Sequence, residues 1–396
     1  MKIKVMNAMM MIISTSVGMG ILGLPIATAE GGFLPTLLVF AIAWIFMTLA
    51  AFYILDIKMH VRGHASLASM IKLTLGKSGH WFASVIILLL LYALLSTYLM
   101  AAVAWIKLLL PSMSHYRDTS LAIGFTFLFV LIMVCKELWL YHVNNVLGMG
   151  VLVTFVVMIA SSLIPTQSDF VTHMNLSLML PSFPLLLTTF GFSIVVPAVT
   201  EYLQYDRALV KQAILWGSIV SLVAYTIWEW VVFGNIPLIG PHGLQELRRL
   251  GDNGTGVIVA LATLSHHAYV VFFGKLFAFL LVVTSFLGIS LALLHFLGDL
   301  LHVPVQGKPR FLLSIAMYVL PVIVVTLFPR AFVQFLSFSG IFVAILLGLF
   351  PVWMVYSLKR RKGLSIKNKP YRGWLMIAVN FFFILVILQE VINLMS

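Results

Sequence analysis

Two stretches of apolar sequence carry the residues best suited to holding a small polar ligand. One is STSVGMGILGLP, residues 14–25, inside a run otherwise apolar from Val5 to Ala29; the other is TTFGFSIVVPAV, residues 188–199. Each places two hydroxyl residues before an apolar residue and a glycine: Thr15-Ser16-Val17-Gly18 and Thr188-Thr189-Phe190-Gly191. Each then runs through apolar residues to a proline, Pro25 or Pro197. Glycine reaches backbone angles closed to other residues, and proline removes a donor and frees the carbonyl one turn earlier. The first stretch therefore predicts an unwound point near Val17–Gly20. A helix broken there presents free amides at the positive end of its second half and free carbonyls at the end of its first. Amides suit an anion and carbonyls a cation, so backbone alone provides both signs, and no charged side chain lies near either break.

The elements that position these stretches are set by composition. The chain has 396 residues, 62% hydrophobic and 9% charged. Soluble domains carry about 25% charged residues, so lipid is the solvent for most of this chain. A span needs roughly 20 mostly apolar residues. Eleven such runs are present, near 6–29, 33–57, 81–110, 119–135, 143–164, 183–203, 209–233, 268–297, 311–328, 332–357 and 373–394. The longest polar stretch, about 234 to 267, joins two spans. An N-terminal run of this length, interrupted at Ser14–Ser16, reads as a span rather than a cleaved signal.

The net charge of +12 follows a membrane pattern. With the N-terminus in the cytoplasm, 18 Lys and Arg fall on inside segments and 6 on outside ones, as the positive-inside rule requires. They orient the protein and contact anionic lipid; no nucleic-acid motif is present. The C-terminus is then exterior. Cys135 is the only cysteine, which excludes an intrachain disulfide and a Cys-based metal site. LGKSGH lacks the first glycine of a phosphate loop, Ile71 standing in its place. Neither a zincin nor a nucleophile-elbow motif occurs, and no enzyme activity, cofactor or metal is expected.

Irregular backbone at membrane depth is tolerated only inside protein or beside a water-filled cavity. Glycine and proline also serve helix packing, and either break alone fits that role. As a pair they stand five spans apart and so run in opposite directions, which is the mark of an inverted repeat with its binding site between the breaks. The expected architecture is one all-α membrane domain over 1–396, with repeat one at about 6–164, repeat two at about 183–357 and an extra span at about 373–394.

These segments resemble a known family. TSVGMGILGLPIATAEGGF is similar to the first span of the hydroxy and aromatic amino acid permeases, most of all the tyrosine-specific ones. TTFGFSIVVPAVTEYL resembles their sixth span, VTSFLGISLALLHFLGDLL their eighth and LFPRAFVQFLSFSGIFVAILLGLFP their ninth-to-tenth turn; YALLSTYL in span three also fits. The resemblance implies eleven spans, the leucine-transporter-like fold with discontinuous helices 1 and 6, and proton-coupled uptake of an aromatic amino acid across a bacterial inner membrane. A substrate carboxylate is then expected on the amides of Gly18, Met19 and Gly20, and its ammonium on the carbonyls at Ser16–Val17 and Thr189–Phe190, with Thr15 beside them in the substrate site. The ring is expected among Tyr92 and Ser96, one turn apart in span three, Phe190 and Phe192 flanking Gly191, Ser285 and Gly288 in span eight, and Phe338 between Ser337 and Ser339.

The coupling ion is open between protons and sodium, with protons favoured. The family places a lysine in span five, yet Met149, Gly150 and Val151 fill that region here. Thr284 and Ser285 offer hydroxyls of the kind that ligate sodium in the wider fold. Glu229, inside WEW, and His295 are the candidate proton carriers. Thr284, Gly288, His295 and Asp299 form a helical stripe that either lines an exit path or ends at the wet interface. His266 and His267 are expected in a solvated loop.

Overall fold

The computed structural model describes residues 2–61, 63, 66–163, 172–241, 243–252, 254–264, 268–362 and 373–395; His266 and His267 lie outside them. The described residues form helices throughout, as lipid demands of a backbone that must satisfy its own hydrogen bonds. In chain order they are α1 (Lys2–Ser16), α2 (Gly20–Thr28), α3 (Phe33–His60), α4 (Leu67–Leu109), α5 (Asp118–Met133), α6 (Glu137–Ser161), α7 (Phe183–Thr189), α8 (Val196–Tyr202), α9 (Arg207–Asn235), α10 (Leu244–Arg249), α11 (Thr255–Leu264), α12 (Ala268–Leu301), α13 (Gly307–Leu327), α14 (Phe332–Val343), α15 (Phe350–Lys362) and α16 (Gly373–Met395).

Among the described residues, nine helical segments are long and apolar enough to cross a membrane. α1 and α2, bent by 55° at their junction, together make a tenth. The expected fourth span is α5, an apolar helix of 16 residues. It rises about 24 Å, short of the roughly 30 Å hydrocarbon core. The protein is thus an all-helical, multi-pass membrane protein.

The stretch at 234–267 is not merely a connection. It contains α10 and α11, the latter a ten-residue apolar helix too short to span. Both pack on α2, and Arg248 pairs with Glu30 just beyond α2 at 2.9 Å. Gly254 brings its backbone so close that a Cβ there would stand 2.7 Å from Cβ of Leu22. This end of the molecule is closed over α2, the second half of the first broken span.

The opposite end is tied differently. Lys58, fully buried at the end of α3, donates to Glu201 of α8 at 2.5 Å and to the Gly63 carbonyl at 2.6 Å. Asp56 pairs with Arg207 at the start of α9. Asp206 caps α9 by accepting from the Ala208 and Leu209 amides, which fixes where that helix begins. These ties hold α3, α8 and α9 together beside a cavity.

Candidate functional site

The first break falls at Val17–Met19, between α1 and α2. The Val17 amide still reaches Ile13 in α1, Gly18 turns back to Ser16, and Ile21 and Leu22 donate to Gly18 and Met19. The amides of Met19 and Gly20 donate to no backbone carbonyl among the described residues. They are the free N-terminal donors of α2, two of the three expected as an anion cradle. Gly20 is where the two broken spans meet: a side chain there would run into Thr189. Gly18 is half-buried, and a Cβ on it would lie 3.9 Å from the Ser285 hydroxyl of α12.

The second break has another form. α7 ends at Thr189, residues Gly191–Val195 tighten into a 3₁₀ turn, and α8 follows with Pro197 in its first turn. No comparable bend results, and Leu176–Tyr202 counts as one continuous span. Pro197 sits where a missing amide goes unnoticed. Pro25 lies inside α2, where it frees the Ile21 carbonyl. Facing the second break, residues Ala344–Leu349 form a π-helical segment, with Leu347 3.9 Å from a Cβ built on Gly191.

α9 closes both breaks from behind. The Tyr225 hydroxyl lies 2.5 Å from the Ser16 carbonyl and 3.0 Å from that of Thr189, so one donor bridges the two interrupted helices. One turn on, the Trp228 indole N–H donates to the Ile21 carbonyl at 2.8 Å, supplying the bond that Pro25 removed. Sequence reasoning missed both residues. The signal was there: Pro25 implies an orphan carbonyl at Ile21, and a buried orphan must find a donor.

This corrects the expected cation site. The Ser16 and Thr189 carbonyls are turned to Tyr225, which is fully buried. At the first break the Val17 carbonyl remains, accepting no bond among the described residues. Thr15 spends its hydroxyl on Met11 at 2.7 Å. The hydroxyls of Ser16 and Ser193, one in each break, are buried without partners. Phe190 and Phe192 are fully buried as well. The Phe190 ring packs edge-on against Tyr225 and Phe40 at 5.1 and 6.2 Å; it braces the break instead of facing open space.

Open space lies elsewhere. A cavity of about 970 Å³ runs between α4, α8 and α12, bounded by Ile87, Ile194, Pro197, Glu201, Ala292 and Asp299 among others. Of the expected stripe on α12, Gly288 and Asp299 are exposed, and nothing lies within 4 Å of a Cβ on Gly288. Asp299 lines the cavity, but His295 turns to the Leu291 carbonyl of its own helix and Thr284 to those of Leu280 and Leu281. Tyr92 is half-buried and accepts, through its carbonyl, the Ser96 hydroxyl at 2.8 Å. Phe338 is half-buried against Phe342. Thr188 bonds the Leu336 carbonyl and lies within 3.2 Å of the Ser339 hydroxyl, joining α7 to α14.

Glu229 is sealed inside the protein. It is 0% exposed, with one carboxyl oxygen 3.4 Å from the Thr28 hydroxyl and the other without a partner.

The tryptophan/tyrosine permease family model matches residues 1–395. The chain belongs to that family. It is a permease, not an enzyme. Over 380 residues it is 26% identical to tyrosine-specific transport system 1 of Haemophilus influenzae, covering 94% of this chain and 91% of that one. It is equally identical, over 405 residues, to a tryptophan-specific transport protein of the same organism, covering 98% and 94%. It is also similar to glutamine transporter 2 of Aliivibrio fischeri, 21% identical over 369 residues, covering 91% of each chain. The relatives to which the permease is similar are thus named for different amino acids.

Proposed function

We propose that this permease imports an aromatic amino acid, tyrosine first, by proton symport across a bacterial inner membrane. The observation that carries the reading is the break at Val17–Met19, where the Met19 and Gly20 amides stand free and the Gly18 backbone faces Ser285. A zwitterion cannot be buried with its charges unpaired. The amides at the head of α2 take the carboxylate, and the ammonium takes the Val17 carbonyl with the Ser285 hydroxyl. The space beside Gly288 accepts the ring. Aromatic relatives at 26% identity support the substrate class.

In this reading the cavity is the cytoplasmic exit, the N-terminus is cytoplasmic and the C-terminus exterior, with eleven spans in a 5+5 inverted repeat. The clustering of Lys58, Lys77 and Arg207 at the cavity end supports the orientation. Protons are favoured over sodium in part because of α6. In the region where the family carries a lysine, a Cβ on Gly150 would stand 3.0 Å from a methyl of Leu280 of α12, so the two helices pack closely there.

The test is counterflow of labelled tyrosine in proteoliposomes of the purified protein. Saturable exchange, competed by unlabelled tyrosine and tryptophan, is the expected result. Leak that does not saturate, or exchange competed by glutamine and not by aromatic amino acids, contradicts the reading.

A further inference from the structure

We propose that Glu229 is the site at which the coupled proton binds. The inference rests on the proton-symport reading and names the residue that reading requires.

Glu229 lies on one stripe of α9 with Tyr225 and Trp228, at spacings of four and three residues that share a helical face. That stripe reads the first broken span from end to end: Tyr225 at the Ser16 carbonyl, Trp228 at the Ile21 carbonyl, Glu229 at the Thr28 hydroxyl. Glu229 is the one member able to change charge near neutrality, and it is fully buried. Its Oε1 has no partner, and Thr28 also gives its hydroxyl to the Leu24 carbonyl at 2.9 Å.

No cationic side chain pairs with Glu229 among the described residues. Of the elements packed against α9, α2 and α11 carry no charged residue. Those of α1 are Lys2 and Lys4 at its start; those of α3 are Asp56, Lys58 and His60 at its end. α8 has Glu201, next to the cavity, and α6 has Glu137 and His142 in its first turns. On α9 itself Lys211 and Arg207 lie about 27 and 33 Å from Glu229 along the axis; α12, which meets α9 where Phe277 and Trp228 lie 6.3 Å apart, carries Lys275, and it forms no ion pair with Glu229 among the described residues. Glu30, beyond α2, is already paired with Arg248.

A lone carboxylate in such a place costs several kcal/mol more than its neutral acid, and a group in this position neutralises by taking a proton. The step is protonation of Oε1, carboxylate plus proton giving carboxylic acid, with no other bond changed. The packed arrangement of α2 on α9 therefore exists with the proton on board. When α2 leaves α9, Glu229 meets water and exchanges its proton; when α2 returns, only the neutral form is sealed in. Closure of the outer half of the broken span is thereby tied to a proton, and the same half-helix carries the Met19 and Gly20 amides. Substrate and proton share one moving element.

The test compares full-length wild type, Glu229→Gln and Glu229→Asp in proteoliposomes. Two assays are run on each: counterflow without a gradient, and accumulation driven by an imposed pH gradient. A gradient of one pH unit supports up to about tenfold accumulation at one proton per substrate. Wild type is expected to approach this. Glu229→Gln is expected to keep counterflow and to accumulate nothing above equilibrium, and Glu229→Asp to retain part of the accumulation. Wild-type accumulation driven by sodium alone would overturn the proton reading and this proposal with it. Proton-driven accumulation unchanged in Glu229→Gln would overturn this proposal and leave proton symport standing. Should Glu229→Gln lack counterflow altogether, infrared spectroscopy of the purified proteins decides. The buried Glu390 carboxyl of α16 is common to both proteins, so the difference between wild type and Glu229→Gln is read: a protonated-carboxyl C=O band in that difference at neutral pH supports the assignment, and a difference without it contradicts the assignment.

Discussion

The two interrupted spans solve the same problem in different ways. The first bends by 55° and leaves amides free; the second tightens into five residues of 3₁₀ helix and stays nearly straight. The difference follows from where glycine and proline fall. The first break has Gly18 and Gly20 with Pro25 inside the following helix, so a turn unwinds and a carbonyl is orphaned. The second has Gly191 alone, with Pro197 at a helix start where its lost donor costs nothing. The lesson is that matching sequence motifs need not give matching backbones. In the proposed reading the first break bears the ligand, and the second provides the wall against which it closes.

Crowding the two glycines is the harshest way to probe that contrast. Gly20→Val drives a side chain into Thr189 and separates the spans; uptake should fall on the order of 100-fold, the scale of a displaced binding geometry. Gly191→Ala should hold uptake within about threefold, because its Cβ makes only an ordinary contact with Leu347 at 3.9 Å. Gly18→Leu and Gly191→Leu, whose branched ends need far more room, should both abolish uptake in protein that still inserts. Equal tolerance at Gly20 and Gly191 would erase the proposed division of roles.

Tyr225→Phe comes next. It leaves the buried Thr189 carbonyl without its donor and the Ser16 carbonyl with the Gly18 amide alone, at about 1–3 kcal/mol for an unsatisfied group. Thermal melts of the detergent-solubilised protein should show the loss, with a drop in uptake as the two breaks come untied. An unchanged melt would mean that water replaces the hydroxyl.

Trp228→Phe should cost about 1 kcal/mol by the same logic. Here the comparison sharpens. Pro25→Ala restores an amide to the Ile21 carbonyl, so the double variant should lose less than the sum of the singles, with a coupling of at least about 0.5 kcal/mol. Strict additivity would show that the indole and the missing amide do not serve the same carbonyl. Pro197→Ala should lie within about 0.5 kcal/mol of wild type, the smallest effect of the set.

Much of this was legible in the sequence. The Gly18–Gly20 cluster fixed the first break within a residue or two, because glycine and proline act locally. The shape of the second break was not legible, since whether a glycine unwinds a helix or tightens it depends on neighbours such as the π segment at Ala344–Leu349. Tyr225 and Trp228 were invisible for a related reason. Their acceptors lie some 200 positions away for Ser16 and Ile21, and an aromatic residue in a span is by default packing. Glu229 stands six residues from the end of α9, and sequence alone does not show that it is buried against Thr28 of α2; the ten residues of α11 were too few to register as an element.

The central claim is that backbone at the first break, and not a charged side chain, holds the amino acid's own charges. Competition against labelled tyrosine counterflow tests it most directly, using tyrosine, tyramine, which lacks the carboxylate, and 3-(4-hydroxyphenyl)propionate, which lacks the ammonium. The account predicts strong competition by tyrosine and at least about a hundredfold weaker competition by either analogue, since each leaves one set of buried partners unmet. Tyramine competing as well as tyrosine would contradict it, because the free amides of Met19 and Gly20 would then have no carboxylate to hold.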